Sequence, residues 1–185
     1  MEKVAIITGA SRGIGKECVK LLAREGIKVI ANYNNSEEKA ILLKEELAKE
    51  GFEIDLFKAD VSNKNDIKEM AEYTLNKYGE IDILINNAGI SQIKMFTDIT
   101  DEDWENMLKT NLNSVFYMTR EVLPNMIHNK NGSIINISSV WGITGASCEV
   151  HYSACKAAII GMTKALAKEM RTIKYTCKCN CPRGN

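Results

Sequence analysis

The chain lacks any excess of charge: 24 Lys+Arg balance 24 Asp+Glu over its 185 residues. A nucleic-acid binder shows a basic excess or a basic stripe, so that class of partner is excluded. It also lacks long apolar runs. The longest are about six residues, against the roughly 18 needed to cross a bilayer. The strand-like run at 4–8 is too short for the apolar core of a signal peptide. No internal repeat, low-complexity stretch or linker interrupts the text. Within residues 1–170 no cluster of His, Cys, Asp and Glu has metal-ligand spacing. Together these absences lead us to expect a cytoplasmic protein with no membrane, nucleic-acid or metal partner.

What is present is ordinary for a globular protein: 45% hydrophobic and 26% charged residues. That composition and length suit one domain with a full core. Of the six cysteines, Cys18, Cys148 and Cys155 are scattered, as in a reduced compartment. Cys177, Cys179 and Cys181 are crowded near the end.

Apolar runs alternate with helical periodicity. The pattern predicts strands over 4–8, 27–32, 54–59, 81–86 and 133–138. Helices are predicted over 13–25, 36–51, 63–78, 101–128 and 152–170, with Ile14, Cys18, Leu21 and Leu22 on one face of the first. Pro124 is expected to end or bend the fourth. Five βα units in a row imply an α/β fold, a doubly wound parallel sheet with helices on both faces. Right-handed crossovers then gather the functional loops at the carboxyl ends of the strands.

The first strand runs into Thr8-Gly9-Ala10-Ser11-Arg12-Gly13-Ile14-Gly15, and a helix follows at once. Glycines in that place let the backbone turn tightly and approach a pyrophosphate, and the helix N-terminus offers free N–H groups to the anion. The candidate cofactor-binding residues are therefore Gly9, Ser11, Arg12, Gly13, Ile14 and Gly15. A site for NAD places an acid about 20 residues further on, against the ribose 2′-hydroxyl. Here the second strand ends Ala31-Asn32-Tyr33-Asn34-Asn35, with no acid. With Arg12 in the loop, this favours NADP(H).

Tyr152-Ser153-Ala154-Cys155-Lys156 places a phenol and an ammonium at i and i+4, on one helical face. A tyrosine with a pKa near 10 is a poor acid–base group at neutral pH. A cation at ~4 Å with an effective dielectric of ~20 is worth about 4 kcal/mol, or about three pKa units. Lys156, aided by a positive nicotinamide ring, would bring Tyr152 into working range. Ser138 and Ser139 end the fifth strand. Asn86-Asn87-Ala88-Gly89 ends the fourth, at the expected switch point. Asn111 sits mid-helix, where a lone asparagine is mildly unfavourable. Cys155 reads as a small buried thiol, and His151 as a loop-to-helix histidine. Trp104, Met107, Leu108 and Met118 read as core or interface.

At these residues the sequence resembles the short-chain dehydrogenase/reductase family. The matching elements are the 8–15 loop, Asp60-Val61 after the third strand, Asn86-Asn87-Ala88-Gly89, Asn111, Ser139 and the Tyr152/Lys156 pair, in the family's order. The resemblance implies a Rossmann-type domain over 1–170. It also implies hydride transfer between NADP(H) and a carbonyl or alcohol. Tyr152 would be the proton donor, with Ser139 holding the substrate oxygen. Lys156 would bind the nicotinamide ribose, and Asn111 a relay water. Asp60 and Val61 would contact adenine, while Asn87, Ala88 and Gly89 line the cofactor cleft. Within the family the text resembles bacterial 3-oxoacyl-[acyl-carrier-protein] reductases. The expected substrate is thus a small-molecule or carrier-protein-bound carbonyl, with sugar, steroid and secondary-alcohol dehydrogenases as alternatives. Relatives of this kind are usually tetramers, so a homo-oligomer is expected, pairing through the 101–128 and 152–170 helices.

After Met170 the text changes character: RTIKYTCKCNCPRGN. Cys177-Lys178-Cys179-Asn180-Cys181 has one residue between thiols, where a zinc ribbon wants two. Written as codons with free wobble choice, and with one C removed after Met170, the stretch reads MAPSNIHVNAIAP. That resembles the family's turn and sixth strand. Residues 171–185 are therefore expected to be an aberrant, frame-shifted tail whose cysteines carry no function. The last strands and the substrate lid would be missing, and the fifth strand would be a bare edge.

Overall fold

The computed structural model describes residues 2–170 and the backbone of 174–180. The six strands are β1 (Val4–Ile7), β2 (Lys28–Tyr33), β3 (Ile54–Lys58), β4 (Ile83–Asn86), β5 (Asn131–Ile137) and β6 (Lys174–Asn180). They pair in parallel in the order β3-β2-β1-β4-β5-β6. The chain winds outward from β1 to β3, then returns to β1's other side to start β4. The order reverses between β1 and β4, and a crevice opens there at the carboxyl ends of the strands. This is the Rossmann-type α/β sheet that the alternation predicted.

Both faces of the sheet are covered, and period-2 alternation divides the strand residues between them. On one face Val4, Ile6, Ile30, Leu84 and Ile134 pack against Ile67 and Met70 of α3 (Lys64–Tyr78) and Met118, Val122 and Met126 of α5 (Ser114–His128). On the other, Ile7, Val29, Ala31 and Ile85 meet Val19 and Ala23 of α1 (Gly13–Arg24) and Leu43 and Leu47 of α2 (Glu37–Lys49). The helix ends follow local chemistry. Asn63 caps α3 by accepting the Asn65 N–H at 2.9 Å. Thr100 and Asp103 form a reciprocal capping box at α4 (Asp101–Leu108), which satisfies donors that the helix itself cannot.

The structure corrects four expectations. The buried stripe of α1 is Gly15, Val19 and Ala23, while Ile14 and Leu21 are exposed. Cys18 and Leu22 of the predicted face are partly buried against the same core. The predicted 101–128 helix is α4, a π-helical turn at Lys109–Asn113, and α5. Pro124 lies inside α5 without ending it; Val122 and Met126, both buried in the core, anchor the helix on either side of it. Finally, β5 is not a bare edge. Lys174–Asn180 pairs along its whole length, from Asn131↔Lys174 to Ile137↔Asn180. Strand pairing is made by backbone N–H and C=O groups, which any non-proline sequence provides. Residues 171–173 and Cys181 to the end lie outside the described residues. Two further helices, α6 (Trp141–Thr144) and α7 (Val150–Glu169), follow β5. Among the described residues no helix is long and apolar enough to cross a membrane.

Leu84 is fully buried on the central strand β4. Leu84→Ala is expected to lower the unfolding free energy by about 2–5 kcal/mol, read as a lower urea midpoint with unchanged slope.

Candidate active site

The crevice begins with a clasp between the two loops that flank it. Thr8, buried at the end of β1, accepts the Asn87 and Ala88 N–H groups on Oγ1, each at 3.0 Å. Asn87 answers with Nδ2, donating to the Thr8 and Gly9 carbonyls at 3.0 Å each. The loops are drawn so close that a Cβ on Gly9 would stand 2.8 Å from Ala88 Cα, and Gly9 itself has φ +63°. A Cβ on Gly15 would strike the Gly9 carbonyl and the Asn87 amide. Both positions require glycine.

A cavity of about 440 Å³ opens beyond the clasp. Gly9, Ser11, Arg12 and Gly13 form its floor at the start of α1, and Asn87, Ala88 and Gly89 face them. Asn34 to Ser36 and Asp60 and Val61 close the far end. Ile14 and Gly15 are not part of this lining: Ile14 is exposed and Gly15 is buried. Asp60 accepts the Ser62 N–H at 2.8 Å, which fixes the turn after β3. A long cleft with a helix N-terminus at its middle and a glycine floor fits a dinucleotide.

The other group of expected residues gathers at the ends of β4 and β5. The Ser139 hydroxyl accepts the Trp141 N–H at 3.2 Å and lies near enough to the Tyr152 phenol to pull its pKa down against the larger effect of burial. Lys156 is buried, with its Nζ donating to the Ile137 carbonyl at 2.9 Å and lying over the Tyr152 ring, 5.6 Å from its centre. Asn111, in the π-helical turn, accepts the Ile90 N–H and donates to the Ile90 carbonyl, both at 3.0 Å. Asn111 and Lys156 meet across Gly89: a Cβ there would be 2.5 Å from Asn111 Oδ1 and 3.8 Å from Lys156 Nζ. All four expected catalytic residues thus converge. The extra residue of the π-turn swings Asn111 inward, which explains an asparagine inside a helix.

The charge balance at the phenol differs from the sequence arithmetic. Burial pushes Tyr152 above its ordinary range, the Ser139 hydroxyl pulls it down, and the Glu149 charge adds to the rise; the net direction is up. The Lys156 ammonium donates to the Ile137 carbonyl and lies over the phenol ring, 5.6 Å from its centre. The protein's own groups therefore keep the phenol protonated.

Several residues do more than the sequence reading assigned to them. Asn32, buried at the end of β2, accepts the Gly9 N–H at 3.2 Å and donates to the Ala59 carbonyl at 3.0 Å, which fastens the glycine loop to the next crossover. Asn86, Asn136 and Thr163 form a buried ladder, with amide-to-amide 2.8 Å and amide-to-hydroxyl 2.9 Å. His151 is buried in the first turn of α7 beside Gln92, Nε2 to Oε1 2.9 Å. Gln92 donates to Asp103 at 2.8 Å. Because Asp103 only accepts, Gln92 must present its oxygen to His151, and His151 Nε2 carries the hydrogen. Its Nδ1 is left without a partner. This pin, the Lys94 N–H bond to the Cys148 carbonyl at 2.7 Å and the Ser91 to Glu149 bond at 3.0 Å join the loop after β4 to the start of α7. Among the described residues no group of His, Cys, Asp and Glu could hold a metal ion.

A fold wound this way, with a glycine-floored crevice and a serine–tyrosine–lysine group at its mouth, defines a dinucleotide-dependent oxidoreductase. Comparison with known proteins places it more closely. The family model for short chain dehydrogenases matches residues 3–184, and the chain belongs to that family. It is 44% identical over 168 residues to the 3-oxoacyl-[acyl-carrier-protein] reductase FabG of Thermotoga maritima, covering 91% of this chain and 68% of that protein. It is 38% identical over 170 residues to FabG of Staphylococcus epidermidis (92% and 70%). It is 41% identical over 168 residues to the 3-oxoacyl-[acyl-carrier-protein] reductase of Synechocystis (91% and 68%). The chain is thus an oxidoreductase of the CH–OH/carbonyl type that resembles these reductases.

Cys155 is buried under α4, its thiol against the Met107 carbonyl, and burial pushes it up to about 11. At pH 8 only about one thiol in a thousand there is thiolate. Iodoacetamide is expected to label Cys148 well before Cys155 in the folded chain, as read by peptide mass spectrometry.

Proposed function

We propose that the chain binds NADP(H) in the crevice and reduces the carbonyl of a 3-oxoacyl thioester carried on an acyl-carrier protein. The observation that carries this reading is the convergence of Ser139, Tyr152, Lys156 and Asn111 at the open end of a dinucleotide-shaped cleft. The reductases to which this chain is similar carry that substrate in their names. Gly9, Ser11, Arg12 and Gly13 hold the pyrophosphate with the N–H groups of α1. Asp60 and Val61 bound the adenine, and Asn87 to Gly89 form the opposite wall. Lys156, with Tyr152, anchors the ribose next to the nicotinamide. The bound dinucleotide supplies hydride to the carbonyl carbon.

The protein's part is to place the carbonyl and move a proton. Ser139 donates a hydrogen bond to the carbonyl oxygen, so the developing charge meets a fixed donor. Tyr152 gives its proton to the same oxygen. With its pKa raised, the phenol carries at neutral pH the proton that this step needs. Asn111 holds a water that joins Lys156 to solvent, from which the phenol's proton is restored; its position across Gly89 from Lys156 supports that role. The groove between α5 and α7, lined by Phe116, Leu123, Met162 and Leu166, with Phe116 half exposed, supports pairing with a second copy. A soluble cytoplasmic setting accords with this chemistry.

A second reading is a remnant that binds dinucleotide without turnover. It is favoured by apolar side chains left in water beside the site: Ile93 is 80%, Ile143 68% and Phe96 67% exposed. It goes with the proposal that residues 171–185 are out of the family's frame. Alignments with the reductases take in 168 to 170 of the 185 residues, whereas the family model's match to residue 184 and the pairing of β6 count against it. Reading the gene across codons 165 to 190 decides: a family-like sixth strand in the second frame is expected, and its absence removes the proposal.

Tyr152→Phe is expected to slow NADPH oxidation with acetoacetyl thioester by about 10²-fold or more, while NADPH fluorescence still reports binding through the rest of the cleft. Because the phenol is shifted upward, reduction should be level through neutral pH with respect to this group and fall on the alkaline side. An untouched rate in the phenylalanine variant removes Tyr152 from the mechanism. Binding without turnover in the unmodified chain supports the second reading.

A further inference from the structure

The adenosine end of the cleft carries a pair of charges that spacing along the sequence does not reveal. No acid lies at the end of β2, yet the fold returns one to it. Glu37, the first residue of α2, lies beside the end of β2: burial and then the Glu37 charge push the Tyr33 phenol up. The same carboxylate lies 3.1 Å from Lys58 Nζ. Tyr33 and Lys58 are register partners at the carboxyl ends of β2 and β3, so the three groups form one cluster on the rim. Tyr33 and its neighbours Asn34, Asn35 and Ser36 line the dinucleotide cavity. A second hollow of about 580 Å³ over residues 35–39 shares Asn35 and Ser36 with that lining and includes Glu37. The Ser36 side chain does not cap α2.

We propose that Glu37 and Lys58 are the discriminating pair for the 2′-position of the adenosine ribose: Lys58 is the cation a 2′-phosphate pairs with, and Glu37 is the built-in competitor for it. The inference rests on the dinucleotide reading above. An exposed ion pair holds weakly, and both side chains here are more than half exposed, 61% and 52%. A phosphate brings more charge and three acceptor oxygens, so it displaces Glu37 from Lys58. The carboxylate then remains within a few ångströms of the phosphate and repels it, because the screening length at physiological salt is about 8 Å. Preference for the phosphorylated dinucleotide is thereby set below what Arg12 and Lys58 alone would give. An unphosphorylated ribose feels neither effect.

Calorimetric titration of the full chain with adenosine 2′,5′-bisphosphate and with 5′-AMP tests this directly, without turnover. Glu37→Gln is expected to tighten the bisphosphate by about 3- to 10-fold and leave 5′-AMP within about two-fold. Lys58→Met is expected to weaken the bisphosphate by a similar factor, and the gain from E37Q should shrink when Lys58 is absent. An unchanged ratio of the two affinities in E37Q, with both nucleotides still bound, overturns this inference and leaves the dinucleotide site standing. Failure of the unmodified chain to bind either nucleotide overturns the site reading, and the inference with it.

Discussion

The rest of the site depends on one clasp, in which a threonine hydroxyl at the end of β1 accepts two backbone N–H groups from the loop after β4. It sits where the sheet reverses its winding, and a parallel sheet has no direct turn there to hold the two strand ends together. Asn87 closes the clasp from the other side. Because the loops touch backbone to backbone, Gly9 and Gly15 have no room for a side chain. The glycines are thus required twice, by the close approach of the loops and by the approach of a pyrophosphate. Everything downstream inherits its position from this contact. Gly89 follows directly, and Asn111 and Lys156 close on either side of it.

The second constraint is the satisfaction of buried polar groups. Asn32, Asn86, Asn111 and Asn136 are all buried, and a bare amide there would cost more than a hydrogen bond returns. Each is committed to a specific partner, so each pins one loop: Asn32 the glycine loop, Asn111 the Gly89–Ile90 backbone, Asn86 and Asn136 the ends of β4 and β5. Such contacts add less to stability than to uniqueness, because no shifted arrangement satisfies them all. The π-turn belongs to the same logic. It costs helix regularity and returns a side chain aimed into the site.

Electrostatics at the phenol show how far environment outweighs residue type. A lysine four positions on from a tyrosine is expected to acidify it; here the ammonium donates to a backbone carbonyl and lies over the ring. Burial then dominates and holds the proton on. The opposite happens at Asp103, partly buried and surrounded by Lys94, Gln92 and Thr100, whose donors hold its carboxyl well below the usual range. That stabilisation is present above the ordinary carboxylate pKa and is lost only as pH falls far into the acid range.

The sequence alone determined the βα alternation, the parallel sheet, the glycine loop and the Tyr152/Lys156 pair. Each of these is written locally, as a period of 2 or 3.6 residues, a strand–loop–helix motif, or an i and i+4 pair. The tertiary structure alone decided the rest. It set which stripe of α1 is buried, where the 101–128 helix yields to a π-turn, and that α5 passes through Pro124. It also set that 174–180 covers β5 and that Glu37 returns to the end of β2. These depend on contacts between residues far apart in the chain, where packing and hydrogen-bond satisfaction override local preference, and no spacing rule along one strand of text can carry that information.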